Sequence, residues 1–372
     1  MWFRAALCSL AVTVPAVAQE GIANTPFSGE IEEVATGLDR PWAIAFLPDG
    51  DLLVTERSGQ LRLIAGGVLQ AEPVSGLPDI PVTRQGGLLD VALHPEFAGN
   101  GVIYLTHASG EASDSRLSVT RAVYADGALT DVDTLFTTNI GNDTGGHYGG
   151  RLTFLPDGTF VFGFGEGFDY REQAQDPSNH YGTIIRLNAD GSVPADNPDI
   201  ENGAPGVYSY GHRNPQGLLY DAESGRIYQH EHGPRGGDEI NIIEPGINYG
   251  WPIATYGVDY SGAIISPYET YEGTRQPLLY WDRSIAPAGM TLHRGTMFPE
   301  WNGDLLIAAL RPGDAETQSG HLRVVDLDED GQPAGQSVYL GERGQRVRDV
   351  RTAPDGSVYV LTDQGAVLRL SR

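Results

Sequence analysis

The chain contains no lysine: all 24 of its basic residues are arginine. That excludes a lysine Schiff base or a lysine general base, and any anion pocket must be built from guanidinium forks or backbone N–H groups. Cysteine is nearly absent as well. The single one, Cys8, sits in an N-terminal apolar run, so neither disulfides nor thiol chemistry are expected beyond it. Basic charge is scarce relative to acidic charge, and the formal net charge is -25. Nucleic acid and anionic membrane are therefore poor partners. No apolar pattern of helical period is long enough for a core helix. Several motifs are missing too: a glycine-rich dinucleotide loop between strand and helix, a P-loop, C-x-x-C, H-E-x-x-H and G-x-S-x-G. Their absence argues against nicotinamide, nucleotide, thiol-redox, zinc-peptidase and serine-hydrolase chemistry.

Glycine and proline, in contrast, are abundant at 49 and 24, and 40% of residues are hydrophobic. This composition suits a folded chain with many tight turns. The N-terminus reads Met-Trp-Phe-Arg, then an apolar run from Ala5 to Val17, then Ala16-Val17-Ala18 before Gln19. A positive charge, a short apolar run and a small-residue cleavage site predict a signal peptide over residues 1–18. A buried N-terminal helix is the competing reading. Export implies a periplasmic or secreted bacterial protein, in which few thiols are expected. Residues 19–29 form an N-terminal segment, with no membrane insertion expected.

From residue 30 to 372 one pattern recurs six times: apolar residues, a Pro-Asp-Gly-like turn, then an alternating strand. The turns fall at Pro48, Pro95, Pro156, Asp221, Pro299 and Pro354, about 47 to 78 residues apart. A four-stranded antiparallel blade fits within each interval. The prediction is an all-β, six-bladed β-propeller forming one domain, with long loops on one face. A sandwich of repeated hairpins is the alternative.

Four segments carry residues with chemical potential. Gly145-Gly-His-Tyr-Gly-Gly-Arg151 places His147 in a flexible turn, where an imidazole could abstract a proton near neutral pH. An idle loop histidine is the plainer reading. Gly211-His-Arg-Asn-Pro-Gln-Gly217 supplies Arg213, Asn214 and Gln216, either as ligand donors or as a hydrogen-bonded turn. His230-Glu-His-Gly-Pro-Arg-Gly-Gly-Asp-Glu239 offers backbone carbonyls at Gly233 and Pro234 beside Asp238 and Glu239, hard oxygens that suit calcium. His230 and His232 could be taken for a transition-metal pair, but no further ligand is identifiable. Arg346 and Arg348, two apart, would point the same way in a strand and need an anion or carboxylate between them. Arg311 could join them. Surface salt bridges are the alternative there.

These motifs occur in one order: Gln85-Gly-Gly-Leu-Leu, Gly-Gly-His147-Tyr-Gly-Gly-Arg-Leu, Gly-His-Arg213-Asn214-Pro-Gln-Gly, Glu-His-Gly233-Pro234-Arg-Gly-Gly-Asp-Glu239, Ile285-Ala-Pro-Ala-Gly-Met and Arg346-Val-Arg348-Asp. In that order the chain resembles the soluble PQQ-dependent glucose/sorbosone dehydrogenases, the periplasmic aldose sugar dehydrogenases among them, from about Glu30 to Leu370. The resemblance implies oxidation of aldose sugars at C1 to lactones, with His147 as the general base and PQQ as hydride acceptor. It implies that Gln85, Arg213, Asn214, Arg311, Arg346 and Arg348 hold PQQ. It further implies that the carbonyls of Gly233 and Pro234 bind calcium, and that Glu239 and the backbone of Tyr249 serve a second calcium. Electrons would pass to an unidentified carrier, quinone, cytochrome or dye, from a monomer or dimer. Some members of the family carry lysine where Arg311 falls. A calcium-dependent lactonase and a non-catalytic sugar-binding propeller are the competing readings of the same repeats.

Overall fold

A computed structural model of the protein describes residues 21–372. The expected signal peptide and Cys8 lie outside the described residues. Each of the six sequence copies forms the hairpin between the first two strands of a four-stranded antiparallel sheet. In blade 1 these strands are Pro41–Phe46 and Leu52–Glu56. In blade 2 they are Leu88–Leu93 and Val102–Ser109, and in blade 3 Leu152–Phe154 and Phe160–Phe164. Blade 4 uses Pro215–Asp221 and Arg226–Glu231, and blade 5 uses Pro287–Leu292 and Leu305–Ala309. Blade 6 uses Val347–Thr352 and Val358–Thr362. The first strands touch one another in sequence around a closed ring, blade 6 meeting blade 1. They therefore line the axis of a six-bladed propeller.

Blade 6 is completed by both ends of the described chain. Glu30–Ala35 pairs with Val367–Ser371, Glu30 opposite Ser371 and Ala35 opposite Val367. An N-terminal strand thus covers what would be an open sheet edge and closes the ring. Ahead of it, Ile22 and Asn24 form parallel bridges to Ala315 and Val338 in blade 5.

Local chemistry explains the hairpins. Second strands such as Leu52–Glu56, Phe160–Phe164 and Leu305–Ala309 are buried along their whole length. They are covered by neighbouring blades on both faces, so continuous apolar runs replace alternation. Aromatic rings interlock between blades: Tyr104 of blade 2 lies 5.1 Å from Phe154 and 5.3 Å from Phe160 of blade 3. At the turns, Asp157 and Asp355 each accept a backbone N–H two residues on, at 2.9 Å. Gly158 and Gly356 take the positive φ that such turns require.

Among the described residues the helical content is one four-residue helix, Phe97–Asn100, and three short 3-10 turns. None of these helices is long and apolar enough to cross a membrane. The hairpin geometry has one consequence for the site. Where the chain enters a first strand and where it leaves the second, it stands at the same end of the blade, opposite the Pro-Asp-Gly turns.

Candidate active site

A cavity of about 260 Å³ opens at that end of the propeller. Chain entering first strands contributes Gln85, Tyr148, Gly149, Asn214, Ala286 and Arg346 to its wall. Chain leaving second strands contributes Arg57, His232, Arg311 and Asp363. Trp42, Gln216 and Arg348 add walls from the first strands themselves. The sequence-predicted residues Gln85, Asn214, Arg311, Arg346 and Arg348 are therefore brought together, from four different blades.

His147 stands beside this cavity, one residue before Tyr148. Its backbone is in the left-handed region at φ 52°, a strained state for a non-glycine residue that is kept only where surroundings enforce it. Gln85 is one such constraint: its Oε1 accepts the His147 N–H at 2.7 Å. Gly165 is another, because a Cβ there would lie 2.3 Å from the His147 carbonyl. The imidazole is held by Glu166, whose Oε2 meets Nδ1 at 2.9 Å. The same carboxylate oxygen accepts the Phe168 N–H. Among the described residues Nε2 makes no hydrogen bond, so its lone pair remains available. Burial lowers the His147 pKa, and Glu166 offsets that only in part. The ring is thus a neutral base at pH 7 whose tautomer is set by a carboxylate.

Glu166, the partner of the His147 ring, is a candidate site residue that the sequence motifs did not single out. It follows the second strand of blade 3 within Gly165-Glu166-Gly167, and this position is the signal that could have found it. Its neighbour Phe168 packs edge-on against His147 at 5.0 Å and stacks with Tyr260 at 6.3 Å. Tyr260 comes from the long loop between the third and fourth strands of blade 4. An aromatic wall therefore borders the base.

Arg213 lies deeper than the cavity wall. Its Nη1 donates to the carbonyls of His232 at 3.0 Å and Gly233 at 2.6 Å, and its guanidinium lies over Trp251 at 5.2 Å. Its backbone is clamped as well: the Arg213 N–H donates to Glu231 at 2.6 Å, and its carbonyl accepts the Glu166 N–H at 2.9 Å. Arg213 thus couples the base to the Gly233-Pro234 turn. That turn is fixed by Asp238, which accepts N–H groups from Gly233 at 2.9 Å and Ala286 at 2.8 Å. Burial pushes Asp238 up to about 6. Its role is to shape the turn, and with both neighbours bonded it has little left for a metal. A Cβ on Gly233 would strike the carbonyls of Gly236 and Gly237, so only glycine fits there.

Glu239 faces Glu231 directly across two strands. Asn241 Nδ2 reaches both carboxylates, at 3.4 and 3.5 Å, while its buried Oδ1 has no partner. Burial and the Glu231 charge drive the Glu239 pKa well up. Two carboxylates and an unpartnered amide oxygen make a set of hard oxygen donors. Tyr249 is set back from them: its ring stacks on His212 at 4.6 Å, and His212 in turn meets Glu231 at 3.3 Å. His230 and His232 do not converge. His232 Nε2 meets the Pro287 carbonyl at 2.7 Å, and His230 lies buried against Gly217 with both ring nitrogens unpartnered.

Arg346 and Arg348 do point the same way, and the carboxylate between them is Asp363. Its oxygens accept Arg346 Nε at 2.7 Å and Arg348 Nε at 2.8 Å. The salt-bridge reading thus holds here, to a carboxylate of the chain itself, while both arginines also line the cavity. Arg57, also unforeseen, stands close enough to Arg348 that its pKa falls, through burial first and then the neighbouring charge.

Below the cavity a second charge cluster ties the blades together. Arg151 meets Asp90 at 3.2 Å and Asp349 at 3.0 Å, and lies over the Trp42 ring at 4.0 Å. Arg351 pairs with the same two carboxylates.

Comparison with known proteins places the chain in a family. Residues 38–369 match the family model described as Glucose / Sorbosone dehydrogenase. The chain is 42% identical over 356 residues to aldose sugar dehydrogenase YliI of Escherichia coli, covering 93% of this chain and 94% of that protein. It is 30% identical to quinoprotein glucose dehydrogenase B of Acinetobacter calcoaceticus over 424 residues, covering 89% and 84%. The PQQ-bound form of an aldose sugar dehydrogenase from Streptomyces coelicolor superposes with a TM-score of 0.74 at 29% identity, covering 93% of this chain and 99% of that one.

Proposed function

The chain belongs to the glucose/sorbosone dehydrogenase family, and from that premise we propose that it oxidises aldose sugars at C1 to lactones with PQQ as cofactor and His147 as general base. The observation that carries this reading is a neutral, carboxylate-held histidine beside a cavity lined by four arginines.

The cavity fits the cofactor's chemistry. PQQ bears three carboxylates, and Arg57, Arg311, Arg346 and Arg348 all line the same cavity. Asn214 and Gln85 supply amide donors for its carbonyl oxygens. When bound, PQQ supplies the quinone that accepts hydride from C1. The protein's own part is the proton. His147 Nε2 takes it from the C1 hydroxyl, and Glu166 stabilises the imidazolium through Nδ1–H. The C1–O bond becomes a carbonyl as the hydroxyl proton and the hydride depart. Arginine charge around the cavity favours the negative charge that hydride transfer delivers.

Calcium is part of the proposal. With Pro234, the Gly233 carbonyl would offer oxygen to calcium next to His232 of the cavity wall; it now accepts Arg213 Nη1 at 2.6 Å, and calcium would have to displace or share that contact. A calcium there would add Lewis-acid polarisation. Glu239, with Glu231 and Asn241 beside it, has the donors for a second, structural ion, and the neighbouring Tyr249 backbone is the further ligand proposed. The export signal read from the sequence suits a periplasmic or secreted enzyme passing electrons to an external acceptor.

The test is reconstitution. Purified protein is incubated with PQQ and calcium, desalted, and assayed for dye reduction with glucose, xylose, arabinose and maltose. Retained quinone absorbance with sugar-dependent reduction is expected. Loss of the quinone on desalting together with no reduction by any of the four sugars would overturn the proposal.

A further inference from the structure

Asp363 is the one carboxylate among the residues lining the arginine cavity. It follows the second strand of blade 6, and its backbone N–H donates to the Arg346 carbonyl at 2.9 Å, which fixes its side chain between the two guanidinium groups. It takes Nε of Arg346, and Nε and Nη2 of Arg348 at 2.8 and 3.3 Å. The donors that would grip an incoming carboxylate are therefore partly occupied by one of the chain's own. Arg311, in contrast, makes no ion pair among the described residues. Arg57 donates only to the Arg84 carbonyl, at 3.3 Å.

We propose that Asp363 is a resident counter-ion of the cavity, which an incoming polycarboxylate must displace or share, so that this residue sets the affinity for the cofactor. The inference rests on the reading of the cavity as a polycarboxylate site. Its physical basis is local. Four guanidinium groups lining one cavity repel each other, and Asp363, paired with two of them, relieves part of that repulsion. Once a ligand brings its own carboxylates, the Asp363 charge opposes them and competes for the same N–H donors. Burial alone would raise the Asp363 pKa, yet Arg348 and Arg346 hold it below the usual range, so the side chain stays charged at neutral pH.

Calorimetric titration tests this on the intact chain, with two probes and three variants. The probes are PQQ and citrate, a tricarboxylate without redox chemistry. Asp363→Asn keeps the shape and removes the charge. Asp363→Ser removes it with a smaller side chain, and covers the case in which the asparagine variant does not fold. Asp363→Glu keeps the charge. Both neutral variants are expected to bind each probe about tenfold more tightly than wild type, while the glutamate variant stays near the wild-type value. Neutral variants that bind citrate and PQQ no more tightly than wild type would overturn the proposal. Weaker binding would also do so, showing that Asp363 only orients the forks. If PQQ fails to bind wild type while citrate follows the expected order, the cofactor assignment falls and the counter-ion role stands.

Discussion

Burial is the largest influence on His147, and it acts in the direction a base requires. It removes stabilisation from the imidazolium, so the pKa falls below 6.5, while Glu166 restores part of it. The acid limb of the kcat profile should therefore lie below pH 6.5, because the base is lost only when it protonates. In Glu166→Gln the offsetting charge is gone. That limb should move further toward acid, and kcat should fall because the imidazolium formed in the reaction loses its partner. A kcat profile from pH 4.5 to 8 for both proteins checks this; a limb that moves to higher pH in the variant contradicts it. His147 itself was legible in the sequence through its glycine-rich turn. Glu166 was not, because a single glutamate between two glycines has no motif value until the fold brings it to the ring.

At the scale of elements, the repeats carried more information than motif matching extracted. The Pro-Asp-Gly hairpins were visible because their chemistry is local: proline, an aspartate that caps the turn, and a glycine at positive φ. The residues that enter the first strands were visible too, since His147, Arg213 and Arg346 stand in unusual local strings. Residues that leave the second strands sit in ordinary strings. Arg57, Glu166, His232, Arg311 and Asp363 each follow a buried strand by one or two positions; Arg311 was singled out, His232 only as half of a metal pair, and the other three not at all. Alternation along a strand says which face is buried, but not that five blades aim these positions at one space. The Glu231–Glu239 pairing was hidden for the same reason, since cross-strand register depends on the turn between the strands.

Gly165→Ala should place a methyl group against the His147 carbonyl and displace the base. A loss of kcat of about tenfold or more, with cofactor affinity little changed, is the expected result; steady-state kinetics with parallel PQQ titration would show it. Removal of the segment through Ala35 should uncover the Val367–Ser371 edge and open the ring. Thermal melting should then shift down markedly and soluble monomer should decline, as read by circular dichroism and size-exclusion chromatography. An unchanged melting point would show that the closing strand is dispensable.

Over the whole molecule, the axis is held by charge as well as by apolar packing. Arg151 and Arg351 neutralise Asp90 and Asp349 in a buried cluster that joins blades 1, 2, 3 and 6 under the cavity, with Asp349 also accepting the Ile44 N–H at 3.0 Å. Arg151→Met would leave two buried carboxylates sharing one guanidinium. Breaking a buried network in this way costs about 3–5 kcal/mol, and urea denaturation should report a loss of that size. The histidines set a second global property. His107, His180, His230 and His321 are buried, with pKa values lowered by desolvation. The unfolded chain therefore binds protons below about pH 6.5 that the folded chain refuses. Stability should fall as pH drops from 7 to 5, with Asp238 and Glu239 opposing this in part because their raised pKa values favour the protonated folded state. A lower urea midpoint at pH 5 than at pH 7 is expected.

The proposed role of His147, proton transfer from the sugar beside the arginine cavity, is open to direct measurement. Wild type and His147→Ala, each loaded with PQQ and calcium, can be compared for PQQ affinity and for aldose-dependent dye reduction. Near-equal PQQ affinity and a fall in kcat of about 10²- to 10⁴-fold in the variant are expected. Full turnover in His147→Ala at wild-type cofactor loading would contradict that role.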